Sequence, residues 1–440
     1  MKDSGIAWIG QIPESWNLIR MKDCSYMKGR IGWQGLTADE FIDEGPFLVT
    51  GTDFEDGHVC WERSYHISEK RYNEAVPIQL QLGDLLVTKD GTIGKLAYID
   101  ALPGKASLNS HLLVIRPLFG KYCNEYLYWV LSSTCFQGYY EKTSSGSTMD
   151  SLSQEKIGEF RFFAPEISEQ HAIAAYLDRK CGQIDEITAD LQRQIECLQN
   201  YKKSLISEVV TKGLNPDVQM KDSGIEWIGQ IPKHWAISRL RYIASICSGA
   251  TPSKDNDEYW QGDVPWVSSQ EVKTDILFDT SLHISEAAIK SCSTQLMPVG
   301  TLVMVVRSGI LQHTIPVALL GVPATINQDV KAFSFTAKML AGYFKYFVQG
   351  HNDMLLHLLV KDKSTVESID YDRLLSCKVS VPPISEQKQI VKYLDEKCRT
   401  IDLLSSEKST QIEIMKNHRK SVIYEYVTGK KRVKEVLSCP

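Results

Sequence analysis

No stretch of this 440-residue chain is apolar for the ~20 residues that a membrane-spanning helix requires. The strand-like run Leu302-Val303-Met304-Val305-Val306 ends at Arg307. The opening Met1-Lys2-Asp3-Ser4-Gly5 is no signal peptide. No membrane role is therefore expected. Paired cysteines are also lacking: there are 11, an odd number, with no Cys-x-x-Cys. Reduced, mostly buried thiols in a cytosol are the expectation. The ten histidines are scattered, and no His/Cys cluster has metal spacing. Positive charge is not in excess either. A net charge of −5 counts against binding nucleic acid alone through a broad basic face. It leaves room for a local basic groove, or for a partner that supplies the charge.

Catalytic motifs are missing as well. Gly91-Thr92-Ile93-Gly94-Lys95 has the residue types of a phosphate-binding loop. It lacks the Gly-x4-Gly-Lys spacing, and Leu96 stands where Ser or Thr would hold magnesium. Pro382-Pro383 has the look of an amino-methyltransferase loop, but Val381 precedes it and Ile384 follows it. No glycine-rich cofactor turn follows a strand elsewhere. The chain is expected to bind no cofactor or metal of its own.

What the chain has is a duplication. Pro165-Glu166-Ile167-Ser168-Glu169-Gln170 returns as Pro382-Pro383-Ile384-Ser385-Glu386-Gln387, an offset of 217 residues. Leu177-Asp178 then matches Leu394-Asp395, and Ile184-Asp185 matches Ile401-Asp402. The residues from Met1 to Trp16 recur from Met220 to Trp235, differing only at Ala7/Glu226, Glu14/Lys233 and Ser15/His234. This aromatic, proline-stopped block reads as an arm packed at the base of each half.

Both copies of the Ile-Ser-Glu-Gln block open a long helix. In the first, Leu177, Ile184, Leu191, Leu198 and Leu205 fall seven apart, with Cys181, Ile187, Ile195, Tyr201 and Val209 between them. Such a heptad makes one apolar seam that packs on another helix. Ser168 suits an N-cap, Glu169 the positive end of the helix dipole, and Gly213 a stop. The second seam is Leu394, Ile401, Met415 and Val422, interrupted by Lys408.

Between the repeats lie two mixed regions. Strands are predicted at 47–50, 84–88, 96–99 and 112–115 with a helix at 125–131, and again at 264–267, 301–306, 315–320 and 330–335 with a helix at 338–351. The fold class is therefore α+β, with a pseudo-two-fold internal repeat. The divisions are an arm at 1–16, a domain at 17–163, a long helix at 164–213, a linker and repeated arm at 214–235, a second domain at 236–381, a second helix at 382–429 and a tail at 430–440. The ends and helices of the halves stay alike while the globular parts diverge. That is the pattern of one frame carrying two readers of different targets.

Several loops suit DNA. Lys89, Asp90, Gly91, Thr92 and Lys95 form a basic, glycine-bearing loop between two predicted strands. Lysine can reach phosphate or guanine there, and short polar side chains a base edge. A plain hairpin turn with surface lysines has the same composition. Arg307, Ser308, Gln312 and His313 hold the equivalent place in the second half, and Asn109-Ser110-His111 of the first half resembles Asn327-Gln328-Asp329 of the second. Ser147-Thr148 sit in a loop rich in small hydroxyl and glycine residues, and Ser364-Thr365 before Ile369 match them in the second half.

Taken together, these stretches resemble the specificity subunit of type I restriction–modification systems. The resemblance rests on the Trp-Ile-Gly-Gln-Ile-Pro arms, on Gly83-Asp84-Leu85-Leu86-Val87-Thr88-Lys89-Asp90-Gly91-Thr92-Ile93-Gly94, on Gly146-Ser147-Thr148, and on the doubled helix with Tyr176-Leu177-Asp178 and Tyr393-Leu394-Asp395. The second half departs from the pattern at Lys363 and at Arg307-Ser308-Gly309. The likeness implies two target-recognition domains joined by an antiparallel coiled coil, each reading half of a split site in double-stranded DNA. It implies a non-catalytic chain in a prokaryotic cytoplasm. The helices would set the spacer and dock methyltransferase subunits, two being expected, that bring S-adenosylmethionine. Motor-endonuclease subunits would bring ATP and magnesium. Rival readings are a stand-alone methyltransferase or nuclease with a divergent site, and a coiled-coil scaffold.

Overall fold

The computed structural model describes residues 1–6, 9–30, 36–144, 152–292, 294–361 and 366–433. It divides into two compact units, one made of Met1–Gln192 with Thr410–Pro440 and the other of Arg193–Ser409. No helix among the described residues is long and apolar enough to cross a membrane.

In the first unit, a four-stranded antiparallel sheet runs in the order Leu96–Tyr98, Leu85–Thr88, Leu112–Pro117, Ser25–Gly29. Its middle strands read Leu-Leu-Val-Thr and Leu-Leu-Val-Ile because both faces are covered. One face packs with Tyr126, Leu127 and Trp129 from the helix Asn124–Leu131. The other meets a three-stranded sheet through Val49, Leu86, Ala106 and Val114. Asn17–Arg20 pairs with Arg161–Ala164 and leads into the first long helix, Ile167–Lys212.

The second unit repeats the plan. Its sheet has five strands, in the order Ala244–Ser248, Val330–Phe335, Leu302–Val305, Val317–Leu320, Ile276–Leu277. The helix Ala341–Gly350 supplies Tyr343, Phe344 and Phe347 to its core. Ala236–Arg239 pairs with Lys378–Val381 ahead of the second long helix, Ile384–Val427. Each arm carries an antiparallel strand pair, Lys2–Asp3 on Gln11–Ile12 and Met220–Asp222 on Gln230–Pro232. Trp16 and Trp235 are buried in their own unit's core. Ala7 and Trp8 lie outside the described residues.

The repeat is kept atom by atom where each long helix begins. Gln170 is buried: its Oε1 accepts from the Cys123 backbone N–H at 2.9 Å, and its Nε2 donates to Lys121 O at 3.1 Å and Pro165 O at 2.8 Å. At the same offset, Gln387 accepts from Leu340 N–H at 2.8 Å and donates to Lys338 O and Pro382 O, both at 2.8 Å. Each glutamine thereby pairs the backbone N–H just before the unit's short helix and two backbone carbonyls that burial would otherwise leave unsatisfied. Trp129 Nε1 donates to Asp178 at 2.8 Å, and Tyr346 Oη to Asp395 at 2.6 Å.

Within each unit, segments of the two long helices run antiparallel. In the first unit Arg419 pairs with Asp185 at 3.0 Å and Arg432 with Glu169 at 2.9 Å. In the second, Lys202 pairs with Asp402 at 2.7 Å and Lys408 Nζ donates to Gln194 at 2.6 Å. Leu177, Ile184, Leu394, Ile401 and Val422 are buried, as are Cys181, Ile195, Cys398 and Ile412. Leu191, Leu198, Leu205 and Met415 are half-buried. Two seam positions differ from expectation. Ile187 and Tyr201 are about half exposed, at 48% and 54%, while Thr188 and Lys202 take the half-buried places. A four-then-three spacing from Ile184 lands on Thr188 before Leu191, and the apolar neighbour one residue earlier turns outward. Lys202 fits because its stem lies along the seam while its ammonium reaches Asp402.

Candidate nucleic-acid interface

Leu85–Thr88 and Leu96–Tyr98 form a hairpin, and Lys89, Asp90, Gly91, Thr92 and Lys95 lie in its connection. Thr88 organises this loop from below. Its Oγ1 donates to Thr92 O at 2.5 Å and accepts from Lys95 N–H at 2.9 Å. Gly91 and Gly94 have φ of 68° and 81°, a left-handed backbone in which a side chain would be strained. Gly91, Thr92 and Lys95 are exposed; Lys89 and Asp90 are half-buried. Asp90 lies 3.1 Å from His111 Nδ1, from the turn that follows Asn109.

Asn109 and Asn327 hold matching turns. Asn109 Oδ1 accepts from His111 N–H at 3.0 Å, and Asn327 Oδ1 from Asp329 N–H at 3.0 Å. Their own backbone N–H groups donate to Val49 O and Val267 O. These asparagines shape the turn, and their acceptor oxygens are engaged in it. The exposed member of the second turn is Gln328, whose Oε1 accepts from Thr251 at 2.6 Å.

Arg307 and Ser308 follow the strand Leu302–Val305 and lead into the short 3-10 turn Gly309–Gln312. Gln312 Nε2 donates to Glu367 at 2.7 Å, so its amide is held by the protein. His313 is exposed and lines a separate open cavity of about 930 Å³ with Lys203, Trp227 and Asn352. The structure thus parts Arg307 from His313, which sequence reading had grouped. Ser147, Thr148, Ser364 and Thr365 lie outside the described residues.

Arg307 has other company. Arg307, Gln328, Lys331 and Lys361 line one open groove of about 400 Å³ with Val306, Val366, Ser368 and Ile369. Among the described residues, three cations and no carboxylate line it. Burial holds the Lys331 ammonium below its usual range, so a bound anion would be favoured there by relief of that penalty. Lys331 comes from the strand Val330–Phe335, and Lys361 from the segment after the helix Asn352–Leu359. Sequence reading missed both, because a lysine in an alternating strand looks like any solvent-facing one. Their convergence with Arg307 depends on pairing between Val330–Phe335 and Leu302–Val305, and on the bridge from Arg307 to Ser368. The arrangement can hold phosphate oxygens and present Arg307 to a base edge.

Comparison with known proteins bears on the family and the fold. A family model, the type I restriction modification DNA specificity domain, matches twice, over residues 14–197 and 232–414. The specificity subunit of the type I restriction enzyme EcoR124I/EcoR124II of Escherichia coli is 32% identical over 230 residues, 52% of this chain and 51% of that protein. The chain thus matches about half the length of that relative. The putative MjaX specificity subunit of Methanocaldococcus jannaschii is 23% identical over 434 residues, 97% of this chain and 96% of that one. A chain solved in work on assembly and conformational transition of a type I R-M system has the same fold, with a TM-score of 0.73 at 15% identity, over 96% of this chain and 100% of that one. The HsdS subunit of Thermoanaerobacter tengcongensis gives a TM-score of 0.55 at 13% identity, over 96% and 98%. Two domain matches that span most of the sequence, laid over a duplicated frame, mean that the chain belongs to the type I restriction–modification DNA specificity family.

Proposed function

We propose that this chain gives a type I restriction–modification complex its DNA sequence specificity and performs no chemistry itself. Each globular part reads one half of a split, asymmetric site in double-stranded DNA. The loop carrying Lys89, Thr92 and Lys95 contributes in the first unit. The groove of Arg307, Gln328, Lys331 and Lys361 contributes in the second. The long helices set the spacer and dock two methyltransferase subunits, which bring S-adenosylmethionine. Motor-endonuclease subunits join with ATP and magnesium. The net charge of −5 fits a chain that shares the DNA with such partners. A prokaryotic cytoplasm is the expected setting.

One observation carries the two-reader assignment. The anchors Gln170/Gln387, Asp178/Asp395 and Asp185/Asp402 recur at one offset with matching hydrogen bonds or ion pairs, while the loops they support differ. A frame conserved around dissimilar loops suits two targets held in one geometry. The test replaces residues 17–160 with the matching domain of a relative and sequences the methylome of cells carrying the chimera. One half-site should change and the other stay. Altered bases on both sides of the spacer would refute two independent readers.

A further inference from the structure

The first unit brings together three side chains of metal-ligating type that the DNA-reading role does not use. Cys123 precedes the helix Asn124–Leu131, Glu125 lies in its first turn, and His171 lies in the first turn and a half of the long helix Ile167–Lys212. One ligand atom from each falls within 4.8 Å of the other two. The sequence gives no hint of this, since His171 is 48 positions beyond Cys123. The Gln170 clamp creates it: by accepting the Cys123 backbone N–H at 2.9 Å, the residue beside His171 fixes the thiol and the imidazole side by side.

We propose that Cys123, Glu125 and His171 form a site for a borderline-soft divalent cation of the zinc or cobalt kind, which ties the first recognition domain to its long helix. Three arguments support it. The first is geometry. Tetrahedral bonds of about 2.0–2.3 Å place ligand atoms roughly 3.3–3.8 Å apart. The closure needed is about 1–1.5 Å; His171 is exposed and has room to turn, while Glu125 is half-buried. The second is donor chemistry. Sulfur, imidazole nitrogen and one carboxylate suit zinc and cobalt, whereas magnesium and calcium call for oxygen alone. Thiolate and carboxylate together cancel a charge of +2, and water can complete the shell on the exposed side. Binding displaces the thiol proton to solvent, so one proton leaves as the metal–sulfur bond forms. Glu125 is already held in place by Tyr98 Oη at 3.0 Å, a supporting contact of the kind metal-binding carboxylates use.

The third argument is the internal control. The second half keeps the clamp on Gln387 but has Leu340, Gly342 and Lys388 at the matching positions. The fold therefore does not need these three side chains to start its long helix.

The experiment titrates the full-length chain, purified free of metal, with Co2+ while absorbance is recorded, then displaces it with Zn2+. One Co2+ per chain should bind with a thiolate-to-cobalt band in the near ultraviolet, and Zn2+ should abolish that band. Cys123→Ser should remove the band. His171→Ala, at an exposed position that leaves the core intact, should weaken binding by about tenfold or more. Circular dichroism establishes that each variant is folded. Absence of a stoichiometric band in the folded chain overturns the proposal, and so does a band unchanged by either substitution.

Discussion

If the groove of Arg307, Lys331 and Lys361 grips phosphate, its removal must show in the salt dependence of binding. Each phosphate neutralised contributes a slope of about −0.9 to log K against log salt on duplex DNA. Between 50 and 200 mM salt the logarithm changes by about 0.6, so one contact costs the wild-type protein about 3.5-fold in affinity over that range. Three contacts together cost about 40-fold. The Arg307→Ala/Lys331→Ala/Lys361→Ala protein should therefore bind weakly at 50 mM, yet lose about 40-fold less than wild type on going to 200 mM. Fluorescence anisotropy with a labelled duplex, using the chain in complex with its methyltransferase subunits, gives the slopes. A cognate and a shuffled duplex separate the roles. Lysines on phosphate should weaken both alike, whereas an Arg307 that reads guanine should cost about 1–3 kcal/mol on the cognate duplex alone. A slope identical to wild type on both duplexes would mean that the groove faces away from DNA.

Two further expectations concern stability. His351 is buried against Trp227 and Phe347, with Nε2 3.4 Å from Thr211 Oγ1, and burial lowers it to about 4. Its folded value lies below its unfolded value of about 6.5, so the stability it confers is complete above pH 6.5 and is lost as pH falls towards 4, by about 3 kcal/mol. Denaturant melts of wild type and His351→Gln across that range should diverge, the variant showing the flatter pH profile; parallel profiles would place the imidazole in water. Tyr126 Oη donates to Phe163 O at 2.8 Å, with Val427 O at 3.2 Å, and Tyr343 Oη to Val210 O at 3.1 Å. Tyr126→Phe and Tyr343→Phe should each lose about 1–2 kcal/mol, because buried carbonyls are left short of a donor, and losses within a few tenths of zero in equilibrium unfolding would contradict that.

The helix starts were legible because the Ile-Ser-Glu-Gln block recurs at a fixed offset, and Gln170 and Gln387 make the same three backbone hydrogen bonds in both copies. Asp178 and Asp185 are legible as repeated positions once the offset of 217 residues is found, but their partners Trp129 and Arg419 are set by long-range packing. The core strands announce themselves by runs such as Leu85–Thr88, buried on both faces. The phase of the helix seam was less legible. Thr188 and Lys202 carry polar groups into half-buried places, and composition ranks Ile187 and Tyr201 above them. The groove was read least well. Arg307 was visible from its equivalence to the Lys89 loop, but Lys331 and Lys361 meet it only through long-range pairing. Asn109 and Asn327 show the converse: a polar residue at a loop tip reads as a ligand contact when its oxygen is closing its own turn.

The composition of the first unit bears on how the protein comes off the ribosome. Its core combines Trp16, Leu177 and Cys181 with Val422, Ile423, Val427 and Val433, and Lys430 Nζ donates to Ile9 O at 2.7 Å. Val422 follows Gln192 by 230 residues, which at ~5–20 residues per second is about 10–50 s of synthesis. The second unit, Arg193–Ser409, is contiguous and has all its parts while the first still lacks a strip of its hydrophobic interior. The half encoded first is thus the half completed last. Through that interval an uncovered helix face waits in the nascent chain, and chaperones or early-bound partners have reason to shield it.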